Sequence, residues 1–186
     1  MFQIRKPGVL VPAMSKFAIR NKATSITAKV RQVVKYDTVV PITQILEQFG
    51  EGVFPGYNFE IKDDADKMML HYWAYTDPVS KTIYIRDSIY HKACCGDPQA
   101  RFTIAHEMGH LFLGHGQGAV LARKAANADI PIYYDAEWQA DTFAAELLMP
   151  ANEAKGKTCA EIQMAFHVSA SAALARANKL KKEFQK

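Results

Sequence analysis

The chain has 186 residues, 49% of them hydrophobic and 23% charged, with a formal net charge of +4 and three cysteines. That length and apolar content describe one globular domain, or one with small appendages, able to bury about 70% of its unfolded surface without disulfide help. Disordered, collagen-like and low-complexity classes are excluded, and no apolar run approaches the roughly 20 residues needed to span a bilayer.

The charge is unevenly placed. Residues 1–35 carry eight basic side chains and no acid, and residues 176–186 carry a net +4, which leaves the middle of the chain at −8. Two basic ends on an acidic body suit a basic protein segment as partner better than a phosphate backbone. Direct nucleic-acid binding by the ends is therefore not the favoured expectation. Cys94 and Cys95 are adjacent, a spacing that resists pairing, and an odd cysteine count without framework spacing fits a reducing compartment. Pro7 and Pro12 break the N-terminal apolar run, so no signal-peptide core is expected. The expected location is the cytoplasm, with no membrane partner.

Residues 1–14 read as an extended arm. From Lys16 to Lys35, Ile19, Ala23, Ile26, Val30 and Val33 recur at helical spacing, with lysines and arginines on the other face. Pro41 opens a short helix that Gly50 stops. Residues 59–61, 69–75 and 82–87 then predict two or three antiparallel strands, with Asp77-Pro78 in the second turn. His71, Tyr72 and Trp73 read as the alternating faces of one of them. Asp97-Pro98 is a helix cap followed by a first-turn proline, and the helix runs to about Leu113 before Gly114. A loop over 115–133 leads to a helix from Asp135 to Met149, ended by Pro150. Two short helices follow from about Cys159, broken near His167-Val168-Ser169. The expected class is α+β: a small antiparallel sheet packed on long helices, with helical extensions at both ends.

The first long helix contains His106-Glu107-Met108-Gly109-His110, an HExxH motif. At i and i+4 both imidazoles project from one helix face, where two nitrogens can meet one Zn²⁺ at about 2.0–2.1 Å. Glu107 points about a quarter-turn away, placed to accept the proton of a metal-bound water. Phe102, Ile104, Ala105, Met108, Leu111 and Phe112 make the helix apolar around most of its circumference. Two histidines and a glutamate buried there need satisfaction, and a single catalytic zinc would supply it. The third ligand is sought on the next helix, where Glu137 and Asp141 share a face. Glu137 is the leading candidate, with Asp141 accepting the free ring N–H of a ligand histidine. Asp141 itself, Asp135 and His115 are the alternatives. Two histidines and one carboxylate leave a fourth position open, the catalytic arrangement. Tyr133, Tyr134, His115 and His71 are candidates for stabilising an oxyanion.

The blocks FTIAHEMGHLFLGH (102–115) and EWQADTFAAELLMP (137–150) resemble the ImmA/IrrE family of bacterial zinc metallopeptidases, and the resemblance extends over about 15–180. It implies a zincin-like core in which His106, His110 and Glu137 hold zinc and Glu107 is the catalytic acid and base. It also implies a substrate: a helix-turn-helix transcriptional repressor of a mobile element, phage or stress regulon. The edge of the 82–87 strand would pair with the extended substrate. The alternative is a non-proteolytic anti-repressor or toxin–antitoxin partner with structural zinc. The implied organisation is a basic arm and helix (1–36), the metallopeptidase domain (37–152) and a helix-turn-helix-like appendage packed on the core (153–186). Within the appendage Gln163 stands where a small residue is usual and His167 where glycine commonly makes the turn. A packing or docking role is therefore expected there rather than DNA binding.

Overall fold

A computed structural model of the chain describes residues 9–50, 52–116, 122–123 and 131–184. Residues 1–8 of the expected arm and most of the expected 115–133 loop lie outside the described residues. In chain order the elements are β1 (Val9–Leu10), α1 (Lys16–Val30), α2 (Ile42–Leu46), β2 (Asn58–Lys62), β3 (Ala74–Asp77) and β4 (Thr82–Arg86). They are followed by α3 (Asp87–Cys94), α4 (Pro98–Leu113), β5 (Ala122–Arg123), α5 (Ala136–Leu148), α6 (Ala151–Ala154), α7 (Cys159–Phe166) and α8 (Ala170–Phe184). The class is α+β, as expected.

The sheet is small but mixed, which corrects the antiparallel expectation. Its strand order is β2-β4-β3. β3 and β4 form the expected antiparallel hairpin, with Tyr75 opposite Tyr84. Asp77 builds its turn, accepting from the Val79 N–H at 2.9 Å and the Ser80 hydroxyl at 2.7 Å. β2, however, joins the far side of β4 in parallel, Phe59 opposite Ile83 and Ile61 opposite Ile85. The segment between β2 and β3 brings the chain back across the sheet, as parallel pairing requires. Part of that segment was expected as strand. Residues 67–69 instead form a 3₁₀ turn, and the Arg86 guanidinium Nε donates to the carbonyls of Met69 at 3.0 Å and Tyr72 at 2.8 Å. The backbone curls around that cation and leaves only Ala74–Asp77 extended.

Ile83 and Ile85 are fully buried on the face of β4 toward the helices. α4 and α5 form the centre of the molecule with Ile104, Met108, Phe143 and Leu147. Their termini follow from local chemistry. Asp97 accepts from the Ala100 N–H at 2.8 Å, Pro98 fills the first turn, and Gly114 closes α4 at φ 74°, a left-handed position suited to glycine. α1 lies on α5 through Ile19, Ala23, Ile26 and Val30 of the expected stripe, whereas Val33 falls past the end of the helix and is exposed.

α4 and α5 meet at Gly109. A Cβ built there falls 2.9 Å from the Ala140 Cα and 3.0 Å from its carbonyl oxygen. Only a residue with no side chain allows that approach.

The terminal cations are partly committed to packing. Arg176 of α8 is buried and makes a two-pronged pair with Glu146 of α5, at 2.9 and 2.7 Å. Arg20 of α1 joins the same carboxylate at 3.1 Å and reaches Glu183 at 2.8 Å, and Lys16 also pairs with Glu183. α1, α5 and α8 are thus bound by charge as well as by apolar contact. The helix pair α7–α8 turns at His167, which holds φ 50° where glycine is commoner. Arg101 of α4 donates to the Phe166 carbonyl at 3.1 Å, to that of His167, and to that of Val40 at 3.2 Å.

Helix propensity alone says Gly109→Ala should stabilise α4 by about 1 kcal/mol. The Ala140 backbone reverses the sign: Gly109→Ala is expected to cost about 1–3 kcal/mol by overpacking, read as a lower urea midpoint. A second expectation concerns acid. Burial pushes the Glu146 carboxyl up, but Arg176 and Arg20 outweigh it and hold the group below its usual 4.5. A carboxylate held low contributes stability that is complete above its unfolded value and is lost as pH falls through the lower native one. Glu146→Gln should therefore cost about 3–5 kcal/mol at neutral pH and flatten the fall of stability below about pH 4.5 in denaturant titrations.

Candidate metal centre

His106 and His110 stand one turn apart on α4, with their Nε2 atoms 3.0 Å from each other. α5 begins opposite them because Asp135 caps it, one side-chain oxygen accepting from the Glu137 N–H at 2.9 Å and the Trp138 N–H at 3.2 Å. That cap occupies Asp135 at the start of the helix and sends Glu137 forward. Glu137 Oε2 lies 3.4 Å from His106 Nε2, and Oε1 lies 3.6 Å from His110 Nε2. One atom from each of the three residues falls within 4.8 Å of the others.

A tetrahedral zinc with bonds of about 2.0–2.1 Å has ligand atoms about 3.3 Å apart. The two Nε2 atoms at 3.0 Å, and a Glu137 oxygen within 3.4 Å of one and the other oxygen within 3.6 Å of the second, lie near that edge. Two imidazoles and one carboxylate form a borderline-soft donor set that zinc accepts. The residues present therefore fit the ion.

The electrostatics agree. Burial opposes charge on His106, but hydrogen bonds to Asp141 and Glu137 outweigh it and hold the imidazolium up to about 10. Burial and the neighbouring His106 charge push His110 down to about 3. The hydrogen bond from His106 holds the Glu137 carboxyl below its ordinary range, against burial. The cluster favours positive charge between its carboxylates, and a divalent ion supplies it. Asp141 Oδ1 lies 3.0 Å from His106 Nδ1, which leaves Nε2 facing the shared centre.

Glu107 sits beside the centre with an anchor that sequence reasoning missed. The Thr76 hydroxyl of β3 lies 2.7 Å from Glu107 Oε2 and 3.0 Å from its backbone carbonyl. Burial raises the Glu107 carboxyl above its ordinary value, with the His106 charge and the Thr76 bond opposing. The same contact corrects the docking expectation for the 82–87 strand. β4 is central, flanked on both sides, whereas β3 is one of the two edge strands among the described residues and is the one that reaches Glu107.

His115 is neither a third ligand nor a free donor. Its Nδ1 lies 2.9 Å from His110 Nδ1, and its Nε2 lies 2.9 Å from Gln139 Oε1, so both ring nitrogens are engaged. Gln139, also missed, donates its amide hydrogens to the carbonyls of Pro12 at 2.9 Å and Tyr133 at 2.8 Å. Its signal was a fully buried amide in an apolar helix, which must find partners. Tyr133, Tyr134 and His71 are exposed.

Residues 61–178 match a family model described as Peptidase_M78, the IrrE N-terminal-like domain. No curated protein matches the chain significantly. The matched span, more than half of the chain, contains every residue of the centre.

If Asp141 orients His106 as the geometry indicates, Asp141→Ala should weaken zinc binding on the order of 10- to 100-fold. Competition against a chromophoric chelator measures this, and an unchanged affinity would remove Asp141 from that role.

Proposed function

Because the chain belongs to the Peptidase_M78 family of IrrE N-terminal-like metallopeptidases, we propose that it is a zinc-dependent endopeptidase that cleaves a helix-turn-helix transcriptional repressor. The observation that carries the reading is the convergence of His106, His110 and Glu137 next to a buried, anchored Glu107. His106, His110 and Glu137 would hold the ion. When bound, zinc supplies Lewis acidity, making water acidic enough to ionise near neutral pH and polarising a peptide carbonyl.

The remaining roles belong to the chain's own side chains. Thr76 holds Glu107 through Oε2, so Oε1 takes the proton of the attacking water and later delivers it to the leaving amine. The outer edge of β3, which has no strand partner among the described residues, offers backbone groups to an extended substrate and aligns a peptide bond beside Glu107. The net −8 of the middle of the chain favours a basic segment, as helix-turn-helix proteins present. Pairing of Lys16, Arg20 and Arg176 inside the molecule takes cations away from any nucleic-acid surface and supports a protein substrate.

Glu107→Gln should retain one zinc per chain and lose cleavage on the order of 10²- to 10⁴-fold. The assay incubates purified helix-turn-helix regulators of the same genome with each form and follows fragments by mass spectrometry. Cleavage at the wild-type rate by zinc-loaded Glu107→Gln would refute the role of Glu107. Release of an intact regulator from its operator by both forms would instead mark a non-proteolytic anti-repressor.

A further inference from the structure

We propose that Gln139 and His115 form a positioning relay that fixes the tautomer of His110, so that its Nε2 lone pair faces the metal centre. This deepens the metallopeptidase reading and rests on it. His106 has a carboxylate, Asp141, to hold its Nδ1–H. Among the described residues, His110 has no carboxylate on its Nδ1. It has His115, a group that can donate or accept there, and whose choice must be set from elsewhere.

The setting begins in the backbone. Carbonyls only accept, and two of them, Pro12 and Tyr133, lie 2.9 and 2.8 Å from the Gln139 side-chain nitrogen. The amide can satisfy both only with its NH₂ toward them, so Oε1 must face His115. An amide oxygen only accepts, so the His115 Nε2, 2.9 Å away, carries the hydrogen. A neutral imidazole has one N–H, which leaves His115 Nδ1 bare and accepting. The His110 Nδ1, 2.9 Å from it, must then be the donor. His110 Nε2 keeps its lone pair, and it is this atom that lies 3.0 Å from His106 Nε2 and 3.6 Å from Glu137. Each bond in the series has one permitted direction. Gln139 is 1% exposed and His115 8% exposed, so water does not offer either of them a substitute partner.

The relay is a positioning device and touches neither substrate nor ion. Its origin at Pro12 also ties the N-terminal segment to the centre: the Val11 and Met14 N–H groups donate to the Tyr134 and Tyr133 carbonyls at 2.8 and 3.1 Å. That segment is held in place on the far side of Gln139.

The test uses the full chain and zinc itself. In the metal-free wild type, long-range ¹H–¹⁵N spectra of the histidine rings should place the His110 proton on Nδ1 and the His115 proton on Nε2. His115→Phe keeps the arm contacts of Gln139 and removes the acceptor, and Gln139→Leu removes the setting of His115. In each, His110 should become a mixture of tautomers, and zinc affinity by chelator competition should fall on the order of 10- to 100-fold. A residue that only filled space would leave the ring tautomers unmoved. A wild-type His110 proton on Nε2 overturns the proposal and needs no variant, so it stands even if Gln139→Leu does not fold. Wild-type zinc uptake with unchanged affinity and tautomers in both variants overturns the relay alone. No zinc uptake by the wild type overturns the metal reading, and the relay with it.

Discussion

The close approach of α4 and α5 at Gly109 is the constraint on which the rest depends. The first helix supplies two imidazoles and the second a carboxylate, and these converge only when the two backbones nearly touch. The absent side chain at Gly109 lets Ala140 come within that range. Ala140 lies between Glu137 and Asp141 on the same helix, so one packing contact sets the height of both carboxylates against the histidines. A functional geometry is thereby stored in steric exclusion rather than in flexible side chains.

Around that contact the polar groups are arranged in pairs with opposite duties. Asp141 and His115 each lie against the outer nitrogen of one imidazole, and the two inner nitrogens face each other and Glu137. Thr76 does the corresponding service for Glu107 from the neighbouring strand. Sheet, helix pair and N-terminal segment each contribute one such support. The centre therefore reports on the integrity of the whole core, since loss of any one element releases a different group.

Much of this was legible in the sequence where the signal is local. The α4 and α5 boundaries follow from Asp97, Pro98, Gly114, Asp135 and Pro150, whose capping chemistry acts within one turn. His106 and His110 stood out by helical spacing and by the cost of burying polar groups in an apolar helix, whereas Glu137 was the leading one of four candidates for a third ligand. The missing parts are those decided across the chain. Nothing in residues 58–62 distinguishes a strand parallel to β4 from an antiparallel one. The 69–75 stretch has strand-like residues, yet the carbonyl demand of Arg86 coils it. α3 follows β4 without a break in composition, so no punctuation marked it. Thr76 and Gln139 became functional only when folding brought them to Glu107 and His115, 31 and 24 residues distant in sequence from their partners.

Arg101 gives the architecture a mechanical property. Its planar guanidinium, five residues before His106, grips three backbone carbonyls, one ahead of the sheet and two at the turn between α7 and α8. An ammonium could not reproduce that fan of directed donors. The first turn of α4 is consequently pinned to the turn between α7 and α8 by directed hydrogen bonds. That turn and the helix that carries His106 and His110 therefore share one fixed point.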